Sequence, residues 1–250
     1  MQDLTARYGI HGVRDINDRG EIAAWTSDFR AAVLRDGVVH DVGPWNSAPG
    51  DMNARGELLV EYIPDGLAYR TAVYSEGTLT ELPRMGGRQA FGQAINDAGW
   101  VTGYFTGADG RNHAFIWDGG TFTNLTPWAR NSFAYDINNQ GQVVGVADNR
   151  AFLYADGELI DLNTRIDPDA DLLLIAADEI NDRTQILAHS CDRTGVFCYG
   201  SVLLDPAPAI PEPSAIAMLL TGLGLAGAHR LRRSIPRGRI GTAAPRFGPA

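Results

Sequence analysis

Asp167, Asp169 and Asp171 alternate in the run D-P-D-A-D, a spacing at which hard carboxylate oxygens converge on one cation as in half of a calcium loop. The glycine and distal glutamate that complete such a loop are missing, so a solvated acidic loop is the competing reading. Cys191 and Cys198 are the only cysteines, and zinc would need more sulfur or nearby His at ligand spacing. They read either as two free thiols or as a disulfide across the base of a loop. The disulfide is favoured by the signs of export described below, and would contribute on the order of 2 to 3 kcal/mol.

The five His lie far apart, and only His113 falls within a repeated phrase, where a strand-edge position is expected. No G-x-S-x-G, H-E-x-x-H or usefully spaced Cys/His pair occurs. The chain contains no Lys, which excludes Schiff-base chemistry and any phosphate loop of the G-K-[ST] kind. The expectation is a protein with no catalytic residue, no metal site and no cofactor. A triad assembled only in space would leave no such trace, so a secreted hydrolase or lyase stays open as a second reading.

Charge narrows the partners. Residues 1–205 hold 15 Arg and 29 acids, a net charge of -14, and such a body repels phosphate backbones, so nucleic acid is not an expected partner. Six further Arg follow residue 229. With 250 residues, 44% of them hydrophobic, the chain can fill a core. Its 29 Gly and 13 Pro are scattered among short apolar runs, which suits many strands and tight turns.

Those strands are organised by a repeat. The phrase I-N-x-x-G, followed by an apolar strand, recurs at Ile16-Asn17, Met52-Asn53, Ile95-Asn96, Ile137-Asn138 and Ile180-Asn181, with Thr184 in place of the last glycine. The Asn residues are 36, 43, 42 and 43 positions apart, the length of a four-stranded blade. The Asn opens a tight turn by bonding its own backbone, and the Gly supplies a positive φ. An Ala-containing strand follows, then an acid-Gly hairpin signal at Asp36-Gly37, Glu76-Gly77, Asp118-Gly119 and Asp156-Gly157, then a closing strand. The fold class expected is all-β and β-propeller-like, with about five four-stranded blades over residues 1–205. The fifth unit lacks its acid-Gly turn and closing strand. Gln2-Asp3-Leu4 fits the closing phrase and is expected to complete that blade as a clasp.

This phrase, with His113-Ala114-Phe115-Ile116-Trp117, resembles the extracellular HAF repeat; the other units keep the Ala and vary its neighbours. The resemblance covers roughly residues 2–205. It implies a propeller-like β fold and an extracytoplasmic setting, without a defined activity.

Beyond the repeats, residues 206–213 form a Pro-rich linker, and Ala215 to Ala228 is an apolar run ahead of Arg230, Arg232 and Arg233. The run is short for a full span of about 20 residues, so a buried helix competes with membrane insertion, the basic cluster favouring the latter with its Arg side cytoplasmic. Pro211-Glu212-Pro213, the apolar run and the Arg cluster together resemble a PEP-CTERM sorting tail over residues 214–233 and the linker before it, with a basic disordered tail at 234–250 beyond. The resemblance implies export, transient anchoring by a C-terminal hydrophobic helix, and processing by an exosortase. Met1 to Arg7 is not a signal peptide, so an export signal is expected upstream of it. The functional expectation is a cell-surface or matrix protein that binds exopolysaccharide or surface proteins.

Overall fold

In the computed structural model, described for residues 3–64, 68–84, 89–195, 198 and 200–206, nineteen strands form five antiparallel sheets, each a meander. The first sheet is β1 (Ile10–Ile16), β2 (Ile22–Thr26), β3 (Arg30–Arg35) and β4 (Val38–Trp45), and the second is β5 (Ser47–Met52), β6 (Leu58–Tyr62), β7 (Arg70–Ser75) and β8 (Thr78–Glu81). The third holds β9 (Ala90–Ile95), β10 (Val101–Thr106), β11 (Asn112–Trp117) and β12 (Phe122–Asn124). The fourth holds β13 (Ser132–Ile137), β14 (Val143–Ala147), β15 (Arg150–Ala155) and β16 (Glu158–Asp161), and the fifth β17 (Leu173–Ile180), β18 (Ile186–Cys191) and β19 (Gly200–Leu204). This is an all-β body consistent with a propeller-like fold.

Each repeated Asn builds its own turn. The Asn96 Oδ1 accepts from the Ala98 and Trp100 amides at 3.0 Å each, and the Gly99 amide donates back to the Asn96 carbonyl at 2.9 Å. Gly20, Gly56, Gly99 and Gly141 sit at φ of 73°, 79°, 80° and 75°, a left-handed conformation that glycine adopts without steric cost. Thr184 adopts the same left-handed conformation at φ 60°. Of the four acid-Gly hairpins, three place the acid and the glycine both at positive φ, as a two-residue primed turn requires. The fourth differs, because Gly120 lengthens it and Asp118 instead caps the loop by accepting from the Gly120 and Thr121 amides.

The same Asn joins neighbouring sheets. Its Nδ2 donates to the backbone carbonyl of the next repeat's Asn: Asn17 to Asn53 at 3.2 Å, Asn53 to Asn96 at 2.9 Å, Asn96 to Asn138 at 3.0 Å and Asn138 to Asn181 at 3.1 Å. Asn53, Asn96 and Asn138 are buried. Around this ladder the sheets bury their faces against each other. Ala23 and Val33 pack on Met52 and Leu58, Leu59 and Val73 on Ile95 and Phe115, and Val144 and Leu162 on Ile180 and Ile186. Each such aliphatic side chain contributes about 1.5 to 3 kcal/mol when fully buried.

The ends of the array correct two expectations. The fifth sheet has three strands among the described residues, not four. The N-terminus does not clasp it: Leu4–Tyr8 is a helix, α1, that packs Leu4 and Tyr8 against Ile10, Ala24 and Leu34 of the first sheet. Local chemistry decides this, because the Asp3 carboxylate caps the Ala6 amide at 3.0 Å and Gly9 ends the helix at φ 69°.

Asn96→Asp keeps the two acceptor bonds of the turn but removes the donor to Asn138, so it should cost about 2 to 3 kcal/mol. Thermal melts will register this as a drop of several degrees, and an unchanged melting temperature would deny the ladder a stabilising role.

Candidate functional site

The innermost strand of each sheet carries a bulge or break in register three residues before its Asn, between Val13 and Asp15, Pro49 and Met52, Gly92 and Ala94, Ala134 and Asp136, and Ala177 and Glu179. A bulge leaves one residue outside the ladder and re-aims its side chain. The residues at that place are Arg14, Gly50, Gln93, Tyr135 and Asp178. Four of them, Arg14, Gln93, Tyr135 and Asp178, line one cavity of about 340 Å³ together with Asp15, Asp51, Asp136 and Glu179. Strands from all five sheets therefore face one central channel. Gly50 has no room for a side chain, since a Cβ there would lie 2.9 Å from that of Leu59.

The turns of all five Asn residues line a second cavity of about 380 Å³. Both ends of the array therefore border the same axis.

The channel carboxylates also serve the frame. Asp15 accepts from the Met52 amide at 2.9 Å, Asp51 from Ile95 at 2.8 Å, and Asp136 from Ile180 at 2.7 Å, so each ties its sheet to the next. Burial pushes the Asp51 carboxyl up to about 6, and the charges of Asp15 and Asp136 add to that. Burial likewise raises Asp136, with Glu179 contributing.

From the channel an aromatic row runs outward across three sheets. Tyr135 and Phe133 are 6.5 Å apart, Phe133 and Tyr104 4.9 Å, Tyr104 and Phe91 4.9 Å, and Phe91 and Tyr69 6.2 Å. Tyr69 then joins Trp25, Phe29, Tyr62 and Glu61 around a pocket of about 200 Å³. Trp25 lies flat over Gly12, where a Cβ would come within 2.9 Å of the indole. Phe29 is held exposed at φ 59° in the β2–β3 turn. Burial raises the Glu61 carboxyl while the nearby Arg14 charge opposes the shift, which links this pocket electrostatically to the channel.

The residues singled out in sequence lie elsewhere. Cys191 and Cys198 form a disulfide. The Asp167 carboxylate accepts from the Asp169 amide at 2.9 Å and the Arg193 guanidinium holds the carbonyls of Pro168 and Ala170, while no group of three or more His, Cys, Asp or Glu that could hold a metal occurs among the described residues. His113 is buried within β11 and not at a strand edge: its Nδ1 lies 3.0 Å from the Thr126 carbonyl, which fastens the strand to the loop after β12. The linker from residue 207, the Pro-Glu-Pro motif, Ala215 to Ala228, Arg230, Arg232, Arg233 and residues 234–250 lie outside the described residues. The bulge residues and the aromatic row escaped sequence reading. Their signal is variation at one fixed offset from an otherwise repeated Asn.

Comparison with known proteins decides the address of the chain. Residues 209–233 match the PEP-CTERM protein-sorting motif. That motif directs export to the cell envelope or surface and is consistent with processing by an exosortase. No curated protein matches the chain in sequence. Among solved structures it is similar to YCF48 bound to D1 peptide, at 12% identity and TM-score 0.41, covering 80% of this chain and 70% of that one. It is similar also to TolB from Acinetobacter baumannii, at 15% identity and TM-score 0.39, covering 79% of this chain and 54% of that one. A gluconolactonase, XC5397 from Xanthomonas campestris, aligns at 12% identity and TM-score 0.37, covering 81% and 78%.

Because the folded Asp51 carboxyl titrates above its ordinary value of 3.8, the folded state holds an extra proton, and the associated stability falls as pH rises from about 4 through about 6. Asp51→Asn keeps an acceptor for the Ile95 amide and removes the charge. At pH 7.5 it should stabilise the body by about 1 to 3 kcal/mol, with little gain at pH 4. Melting temperatures of both proteins across that range will show it, and equal pH profiles would refute it.

Proposed function

We propose that this exported protein is a surface or matrix component that binds a glycan at the bulge-lined end of its central channel, without catalysing a reaction. The reading takes residues 2–205 as repeats of the HAF kind. The observation that carries it is the contrast between the recurring Asn turn and one varied ring. While the Asn recurs in all five sheets, the bulge position holds a cation, an amide, a phenol and a carboxylate in Arg14, Gln93, Tyr135 and Asp178. Such a ring offers donors and acceptors for hydroxyl groups on several sides. The aromatic row from Tyr135 to Tyr69 ends in the exposed ring of Tyr69, beside Trp25 and Phe29, which offers apolar surface for the C–H face of a pyranose.

One observation favours the alternative of a polysaccharide hydrolase or lyase. The raised Asp51 beside the Asp15 charge is the pattern of an acid and base pushed apart. Both carboxylates, however, already accept backbone amides of the neighbouring sheet, which gives them an architectural task.

The test is isothermal titration of the full chain, kept in detergent micelles, with exopolysaccharide from its own host. Binding is expected, and Tyr135→Ala should weaken it by about tenfold, or 1.4 kcal/mol. Binding that is absent, or indifferent to Tyr135, would reject the site. New reducing ends released by the wild type but not by Asp51→Asn would replace binding with catalysis.

A further inference from the structure

We propose that the pocket between the first and second sheets receives an amino sugar, its protonated amine on the Glu61 carboxylate and the C–H face of its ring against Trp25 and Phe29. This rests on the glycan reading above and names the sugar. Trp25, Glu61 and Tyr104 each stand eight residues after the Asn of their sheet. Trp25 pairs with Gly12 and Ala31, Glu61 with Ala48 and Thr71, and Tyr104 with Phe91 and Ala114, so the three occupy one place in the second strand of consecutive sheets. An acid thus sits where both neighbours are aromatic. Its carboxylate makes no hydrogen bond or ion pair among the described residues. Glu21 and Glu57, also withdrawn from water in these two sheets, are held by Arg19 and Arg55 at 2.7 and 2.6 Å. Burial raises the Glu61 carboxyl, and the Arg14 charge opposes this without pairing with it. A carboxylate taken from water without a partner gains from an arriving cation.

The walls around it are aromatic. Phe29 holds φ at 59°, where a bulky side chain is strained, yet its ring is 65% exposed and little packing offsets the strain. Strain kept at an exposed position points to a task there. Trp25, lying over Gly12, borders with Phe29 a second hollow of about 330 Å³ beside His11 and Ser27, so the pair stands as a partition with open space on both sides. Tyr69, 51% exposed, lines the Glu61 side. Aromatic faces attract an ammonium group through their quadrupole, and a carboxylate beside them fixes where it rests.

An amino sugar uses carboxylate and rings together. A neutral sugar would stack but leave Glu61 unmatched, and an acidic one would be repelled by it. A lysine side chain would meet the carboxylate but offer only a methylene stem to the two rings. The net charge of -14 over residues 1–205 draws cationic ligands in general, and Glu61 supplies the local contact.

The experiment titrates methyl glucosaminide, its N-acetyl derivative and methyl glucoside into the full chain in detergent micelles at about pH 6.5, where the amine is protonated. The glucosaminide should bind at least about tenfold tighter than the two neutral sugars. Glu61→Gln should abolish that preference, whereas Glu158→Gln, which removes the same charge in the fourth sheet, should keep it. Phe29→Gly relieves the left-handed strain, so it should weaken all three sugars by about fivefold with the melting temperature held or raised. Equal affinities in the wild type would overturn the proposal. So would a preference that survives Glu61→Gln, which would assign it to the overall negative field, or wild-type binding by Phe29→Gly, which remains decisive should Glu61→Gln misfold. An acetyl-lysinamide probe with a free side-chain amine that binds tighter than the glucosaminide, with the same need for Glu61, would replace the sugar by a peptide. Host exopolysaccharide that still binds through Tyr135 while the three sugars bind alike defeats this inference alone, and loss of all glycan binding defeats the reading beneath it.

Discussion

Everything in this body hangs on a side chain that must be an amide. The carbonyl of each repeated Asn closes its own turn by accepting two backbone amides, and in the first four the amide nitrogen reaches the carbonyl of the equivalent Asn one sheet on. Asp or Gly could open such a turn but supplies no side-chain donor, and a Ser hydroxyl has its donor and acceptor on one atom; Asn puts them on two separate atoms of a side chain short enough to bond its own backbone. The carbonyl of the next turn already accepts the amide three residues on, so the Asn donor is its second partner, worth about 0.5 to 1.5 kcal/mol net at each junction. One residue type therefore fixes the local turn and the spacing of sheets at once, and the apolar faces pack in the register it sets.

That constraint explains where the channel gets its freedom. With the Asn holding the end of the inner strand, the bulge three residues earlier is a place where a side chain leaves the ladder without disturbing it. Arg14, Gln93, Tyr135 and Asp178 differ completely in chemistry, yet each is delivered to the same height along one axis. The residue after the bulge is under structural control in three of the sheets, since Asp15, Asp51 and Asp136 each bond the following sheet. Ala94 cannot, and there the Ile137 amide is met by the Asp136 side chain of its own sheet. The price of the arrangement is a crowd of carboxylates, visible in the raised Asp51.

Much of the frame was legible in the sequence because it is local. The period, the turn glycines and three of the four acid-Gly hairpins follow from residue types at short range, and the structure places them as read, while the disulfide that the signs of export favoured is formed. The N-terminal clasp failed for a reason equally local: Asp3 and Gly9 are helix caps, and they outweigh the resemblance of Gln2-Asp3-Leu4 to a closing strand. His113 failed for the opposite reason, because the loop that receives its ring returns from 13 residues further on. The donor half of the Asn, the bulge ring and the aromatic row are relations between repeats about 42 residues apart, and a reading that treats each repeat as a unit cannot see them. The signal that was available lay in comparing repeats for where they differ.

Charge gives a further reason for the amide. Asp18, Asp97 and Asp182 stand directly after three of the Asn residues, and Asp97 and Asp182 already accept the backbone amides of Ala54 and Asn139 in the preceding sheet. Carboxylates at the Asn positions would add up to five negative charges to the same cavity in a body whose net charge is -14. They would have to be buried beside carbonyl oxygens with nothing to donate between them. The neutral amide supplies the missing donor where a carboxylate would supply repulsion, and so the ladder tolerates the acids around it.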